Sequence, residues 1–215
     1  MKFILNLVVL IVFGLLQSCV NIKSEAPEIN IYKLKQEPIQ NTEVANTIKS
    51  FIIDKSIWVK KFTVSSELMS EKIIVDNGDI TTKLNYQQWI NPLDEMLTDF
   101  TINRLNRYKT FKKGVFDFCS VSPDLILECR VVNFRINNST DKNVPRTVEI
   151  TISANVLSSN ENSPGFEQIM SEVYSKTIAR TDNTINSAVL ALSKSVSDII
   201  DEMILDINHN IKGAK

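Results

Sequence analysis

Glycine and histidine are scarce in this 215-residue chain, which has five and one of them, beside three cysteines and two tryptophans. Five scattered glycines leave no loop to cradle a phosphate. A single histidine, His209, removes the base that a Ser-His-Asp or Cys-His arrangement needs. Its polar surroundings near the C-terminus read as solvated. No His-Glu-x-x-His, Cys-x-x-Cys or EF-hand spacing occurs, so no metal or other cofactor is indicated. Charge of one sign is also lacking, since 24 Lys and Arg face 25 Asp and Glu, a formal net charge of −1. Without residues 1–18, whose one charged side chain is Lys2, the balance is −2. A nucleic-acid binder would show a basic surplus or stripe. The acidic groups Asp76/Asp79 and Asp94/Glu95/Asp99 read as a solvated turn and a helix start. The expectation is a protein that is not an enzyme.

Long apolar runs are missing after the first sixteen residues. Met1-Lys2 precedes an apolar stretch from Phe3 to Leu16, broken by Asn6 and Gly14, and Leu16-Gln17-Ser18-Cys19 follows. This is the order of a charged region, a short apolar region and a small residue before a cut. The run falls short of the roughly 20 residues that span a bilayer. Leu16, Ser18 and Cys19 resemble the lipobox of bacterial lipoprotein signals, with Gln17 more polar than usual. That resemblance implies cleavage before Cys19 and a covalent lipid on its thiol. An ordinary secretory signal with a chance cysteine and an uncleaved anchor are the competing readings. Val20 stands where Asp would favour inner-membrane retention, so the expected location is the periplasmic face of the outer membrane. Residues 1–18 are thus read as signal, 19–28 as a lipidated tether and 29–215 as a single domain.

The other cysteines, Cys119 and Cys129, flank the turn-like Ser122-Pro123-Asp124 and would face each other across a hairpin. An exported domain sits where disulfides form; two small buried apolar side chains are the other reading.

The periodicity predicts an α/β (α+β-like) fold: a mixed, largely antiparallel sheet flanked by helices, with a long C-terminal helix. Strand candidates are Ile29–Lys35, Ser56–Val64, Lys72–Val75, Ile80–Tyr86, Gly114–Cys119, Leu125–Ile136, Arg146–Ser158 and Glu167–Ala179. Residues 42–50 read as a short helix, and Asn77-Gly78 as a hairpin turn. Asn91-Pro92 starts a helix running to about Tyr108, with Leu93, Met96, Leu97, Phe100 and Leu105 as its apolar stripe. In Arg146–Ser158, Thr147, Glu149, Thr151 and Ser153 alternate with Val148, Ile150, Ile152 and Ala154, one wet and one buried face. From about Asn183 to Asn210, a broad apolar face on one helix suits packing on a sheet.

Trp58 to about Phe111, more loosely to Phe134, resembles the ABC-type transport auxiliary lipoproteins, the PqiC-like family. The resemblance is carried by Val64-Ser65-Ser66-Glu67-Leu68, Ile73-Ile74-Val75, Asn77-Gly78 and above all Trp89-Ile90-Asn91-Pro92-Leu93 before the helix. It implies an α/β sandwich. It also implies a non-catalytic docking or adaptor role in ABC/MCE-type envelope lipid transport, with MCE-domain or ABC transporter components as partners. Trp89, Pro92 and Leu93 are the candidate structural or partner-contact residues. The alternative is a structural or assembly lipoprotein of another envelope machine or secretion ring. A homo-oligomer is compatible with either.

Overall fold

The computed structural model describes residues 27–38, 43–118, 122–138, 145–159 and 165–213. The signal, Cys19, most of the tether and Cys119 lie outside the described residues. Strands are β1 (Asn30–Tyr32), β2 (Ile57–Val59), β3 (Lys72–Asn77), β4 (Ile80–Trp89), β5 (Val115–Phe116), β6 (Leu125–Asn137), β7 (Thr147–Ser159) and β8 (Phe166–Ala179). Helices are α1 (Glu43–Lys49), α2 (Leu93–Tyr108) and α3 (Ile185–Gly213), with a 3-10 turn at Ser66–Leu68.

The fold class is as expected: one mixed sheet, mostly antiparallel, with helices and a long C-terminal helix. Strands β6, β7 and β8 form an antiparallel meander, from Leu125↔Ser158 to Asn137↔Thr147 and from Thr147↔Ala179 to Ser159↔Phe166. The other edge of β6 is covered piecewise by one stretch of chain running parallel to it. Ile57 pairs with Leu125, Thr63 bridges Arg130, and Val75 pairs with Ile136. Strand β5 lies outside β2; β4 and then β1 lie outside β3. The parallel pairings are therefore short, and the long ladders are antiparallel.

The alternation in β7 is realised in full. Val148, Ile150, Ile152, Ala154 and Val156 are buried, whereas Thr147, Glu149, Thr151, Ser153 and Asn155 are half-buried on the other face. Helix α3 covers the buried face with Ala188, Leu192, Val196, Ile199, Met203 and Ile207. Its start is tied down by side chains. The Thr184 hydroxyl donates to Asp182 Oδ1 (2.6 Å), and the Ser187 N–H donates to Thr184 Oγ1 (3.2 Å), satisfying a donor that the first turn leaves free.

Four expectations need correcting. The strand over Ser56–Val64 shrinks to three residues because the chain bulges: Val59 pairs with Leu127, yet Thr63 meets Arg130, four residues against three. The extra residue brings Phe62 into the core, where its N–H donates to Thr98 Oγ1 (3.0 Å). The hairpin after β3 centres on Gly78-Asp79 rather than Asn77-Gly78. Asn77 pairs with Ile80, and Gly78 alone of the two has a positive φ, 63°; this is the glycine-first two-residue turn that matches strand twist. Asn91 does not cap α2; Pro92 occupies the cap position without a side-chain bond, and the Met96 N–H donates to its carbonyl (3.0 Å). Finally, β5 and β6 form no hairpin. Both run parallel to β2, which lies between them.

Candidate functional site

A groove of about 610 Å³ opens where α1, α2 and α3 meet the end of β8. One wall is a stripe of α3 spaced by three and four residues: Ser187, Leu190/Ala191, Lys194, Ser197/Asp198 and Asp201. These positions share one helix face. The small side chains at 187, 191 and 197 leave the room. Ile178 to Thr181 follow along the end of β8, and Glu37, Pro38 and Ala45 close the side nearest α1.

The end formed with α2 is built around a buried ion pair. Arg104, with a side chain 4% exposed, donates from Nε to Asp201 Oδ1 (2.6 Å) and from Nη2 to Oδ2 (2.6 Å). Nη1 donates to the Glu37 carbonyl (3.1 Å), and the Tyr108 hydroxyl donates to Asp201 Oδ2 (3.0 Å). A fork-on-carboxylate geometry with further donors is what a buried pair requires to offset desolvation. Burial works against the Arg104 charge, but Asp201 outweighs it and holds the guanidinium's pKa above its ordinary value. Burial, followed by the Asp201 charge, pushes the Tyr108 phenol up to about 12. The Asp198 carboxyl is also raised, because burial exceeds the opposing pull of Lys194 and Lys176. Ser197 is 1% exposed, and its hydroxyl has no hydrogen-bond partner among the described residues. Arg180 spans the other end, donating to the Asn137 and Thr184 carbonyls. The lining offers hydrogen bonds of both kinds and balanced charge. Among the described residues no group of three or more His, Cys, Asp or Glu converges as metal ligands would.

The residues singled out from sequence lie elsewhere. Trp89 is buried at the end of β4, edge-on to Phe134 of β6 (centroids 5.9 Å apart, planes at 74°). Its backbone N–H donates to the Glu71 carbonyl (2.6 Å). Leu93 is buried in the first turn of α2, and Pro92 caps it. All three secure the helix start to the sheet. Cys129 is a free thiol buried on the helix-covered face, its pKa raised by that burial. His209 is exposed near the end of α3. Sequence reasoning missed Arg104. The available signal was its position four residues after Phe100 and before Tyr108, inside the apolar stripe.

The architecture defines a class: an open α/β sheet with an antiparallel meander and one face covered by helices. Solved structures share it. Protein XCC0632 from Xanthomonas campestris, described with family DUF330, aligns with TM-score 0.70 at 13% identity over 86% of this chain and 98% of its own. An uncharacterized protein aligns with TM-score 0.58 at 14% identity over 84% and 99%. Hypothetical protein CT253 from Chlamydia trachomatis gives TM-score 0.50 at 7% identity over 71% and 96%. At these identities the likeness is one of fold. No family model matches the sequence, and no curated protein matches it significantly.

Proposed function

We propose that the chain is a lipid-anchored accessory protein of the bacterial envelope, serving an ABC/MCE-type lipid transport system as a docking or adaptor component that acts by binding. One observation carries the reading: a lipobox-like Leu16-Gln17-Ser18-Cys19 precedes a domain whose fold spans nearly all of a DUF330 protein. The resemblance around Trp89-Ile90-Asn91-Pro92-Leu93 points the same way. Among the described residues no helix is long and apolar enough to cross a membrane, so lipid on Cys19 would supply the attachment. Stable anchoring takes two or more acyl chains, and tethering raises the local concentration of a partner for a weak interface. Location on the periplasmic face of the outer membrane, with an MCE-domain or transporter component as partner, belongs to this proposal.

Crosslinking in intact cells followed by mass spectrometry tests it. Recovery of an MCE-domain or transporter component supports the role; repeated recovery of secretion-ring or other envelope-assembly proteins instead would replace it. The anchor has its own test. Cys19→Ser is expected to leave an unprocessed precursor without lipid mass, and normal processing of that variant would defeat it.

A further inference from the structure

Strand β1 is the outermost strand on its side of the sheet, paired only with β4 among the described strands. Asn30, Ile31 and Tyr32 sit opposite Gln87, Gln88 and Trp89. Tyr32 packs against the core and Trp89 lies within it. Side chains alternate along a strand. The side away from Trp89 therefore takes Ile29 and Ile31 from one strand and Tyr86 and the half-buried Gln88 from the other, Gln88 lying opposite Ile31; Ile90 is next in the alternation and is held to β1 by its N–H to the Tyr32 carbonyl (2.8 Å). The apolar members Ile29, Ile31, Tyr86 and Ile90 are 52%, 64%, 48% and 53% exposed. Ile31 also shares a concavity of about 590 Å³ with Leu190 of α3, itself exposed, whose rim includes Lys33 and Lys35. Single exposed apolar side chains are ordinary; a contiguous group of them rimmed by polar residues marks a contact surface.

The chain itself says which surface. Ile29 lies ten residues after Cys19, so the patch is at most about 36 Å of extended chain from the anchor. The tether leaves the domain from the patch, and the side from which it leaves is the side drawn to the bilayer. Lys33 and Lys35 are exposed, and no salt bridge involves either among the described residues. They offer positive charge to an anionic headgroup layer, which attracts basic residues near its surface. Glu28 and, beside Trp89, Glu71 are exposed opposing charges. Aliphatic side chains with a tyrosine at their edge suit the headgroup boundary.

The geometry points to the Ile29–Ile31–Tyr86–Ile90 patch as a membrane-seating surface that lays the β1–β4 edge on the lipid headgroups beside the anchor. This inference rests on lipidation of Cys19. Seating would fix the domain's orientation on the bilayer.

The test uses the full, processed chain in vesicles of phosphatidylethanolamine and phosphatidylglycerol. Cysteine is introduced by Ile31→Cys or, on β8, by Val173→Cys, which is equally exposed. Each is labelled with an environment-sensitive fluorophore, and the parent chain corrects for labelling at other cysteines. At residue 31 the expected result is a blue-shifted emission, quenched several-fold more strongly by nitroxide lipids than at residue 173. Lys33→Glu with Lys35→Glu should reduce that difference. Equal quenching at the two positions on a chain with lipid mass overturns the patch and leaves the anchor intact. A blue shift without lipid quenching overturns it in favour of a second copy or a protein partner. Absence of lipid mass overturns both anchor and patch.

Discussion

The two halves of the molecule are built differently. The C-terminal half, β6 to β8 with α3, uses strands of 13 and 14 residues and a 29-residue helix, joined in sequence order. The N-terminal half uses strands as short as two and three residues, laid parallel onto an edge they do not make themselves. A meander closes its pairings through neighbouring chain; short parallel strands depend on a surface already present. The first half to protect its amides should thus be the C-terminal one, and the N-terminal half should open at lower free energy.

Side-chain joints hold the halves together, and breaking three of them tests the comparison. The largest effect is expected at Arg104. Arg104→Ala leaves Asp201 buried beside Tyr108 without its partner. Removing one member of a buried pair costs about 3–5 kcal/mol, readable as a lowered urea midpoint. The double variant Arg104→Met with Asp201→Leu should recover most of that loss. If Arg104→Ala changes stability as little as an exposed substitution, the joint is not structural.

Trp89→Ala comes next. It removes the ring that packs on Phe134, at about 3–5 kcal/mol for a large buried aromatic. Hydrogen exchange should show β1, β4 and the first turn of α2 losing protection more than β7. Uniform loss across the sheet would mean that the halves unfold as one unit.

The third joint is smaller and depends on pH. Asp124 Oδ2 accepts from the Ser56 N–H (2.7 Å) and hydroxyl (2.8 Å), while the Asp124 N–H donates to Ser56 Oγ (2.9 Å), linking the starts of β2 and β6. Burial raises this carboxyl, but the bonds from Ser56 and then the charge of Lys113 outweigh it, so its pKa is lowered. A carboxyl depressed in the folded state stabilises above its unfolded pKa, about 3.9, and loses that contribution as the pH falls through the folded value. Asp124→Asn should lower Tm at pH 7 and flatten the fall in Tm below about pH 4. An unchanged acid limb would show that other carboxylates dominate it.

Asp198, on the groove wall within the stable half, should show the opposite sign. Its carboxyl is raised, so it opposes folding once ionised, and stability falls as the pH rises from the unfolded pKa through the folded one. Asp198→Asn should raise Tm slightly at pH 7, with the gain vanishing toward acid pH. A lowered Tm at neutral pH would mean that its attraction to Lys194 and Lys176 exceeds the desolvation cost.

Much of this architecture is visible in the chain. The strict alternation of Thr147 to Val156 defines β7 and its two faces, and the Leu93–Leu105 stripe and the apolar face from Ile185 define α2 and α3. These are repeats of period 2 and 3.6, which local sequence carries completely. The hairpin between β3 and β4 is also visible, although the turn sits one residue later than Asn77-Gly78 suggests, with Gly78 as its first residue. The cysteine hairpin was misread because Ser122-Pro123-Asp124 marks a turn without saying which strands it joins.

Sequence by itself determined that the chain alternates into a meander, that two long amphipathic helices form, and that Leu16 to Cys19 have the form of a lipid-attachment signal. The tertiary structure alone decided that 57–76 lie along one edge of β6, that Arg104 faces Asp201 ninety-seven residues away, and that Ile31 of β1 shares a concavity with Leu190 of α3. The physical reason is range. Periodicity and turn preference act over a few residues, whereas strand neighbours, buried charge pairs and surface patches are set by which distant segments can cover an edge or satisfy a buried charge together.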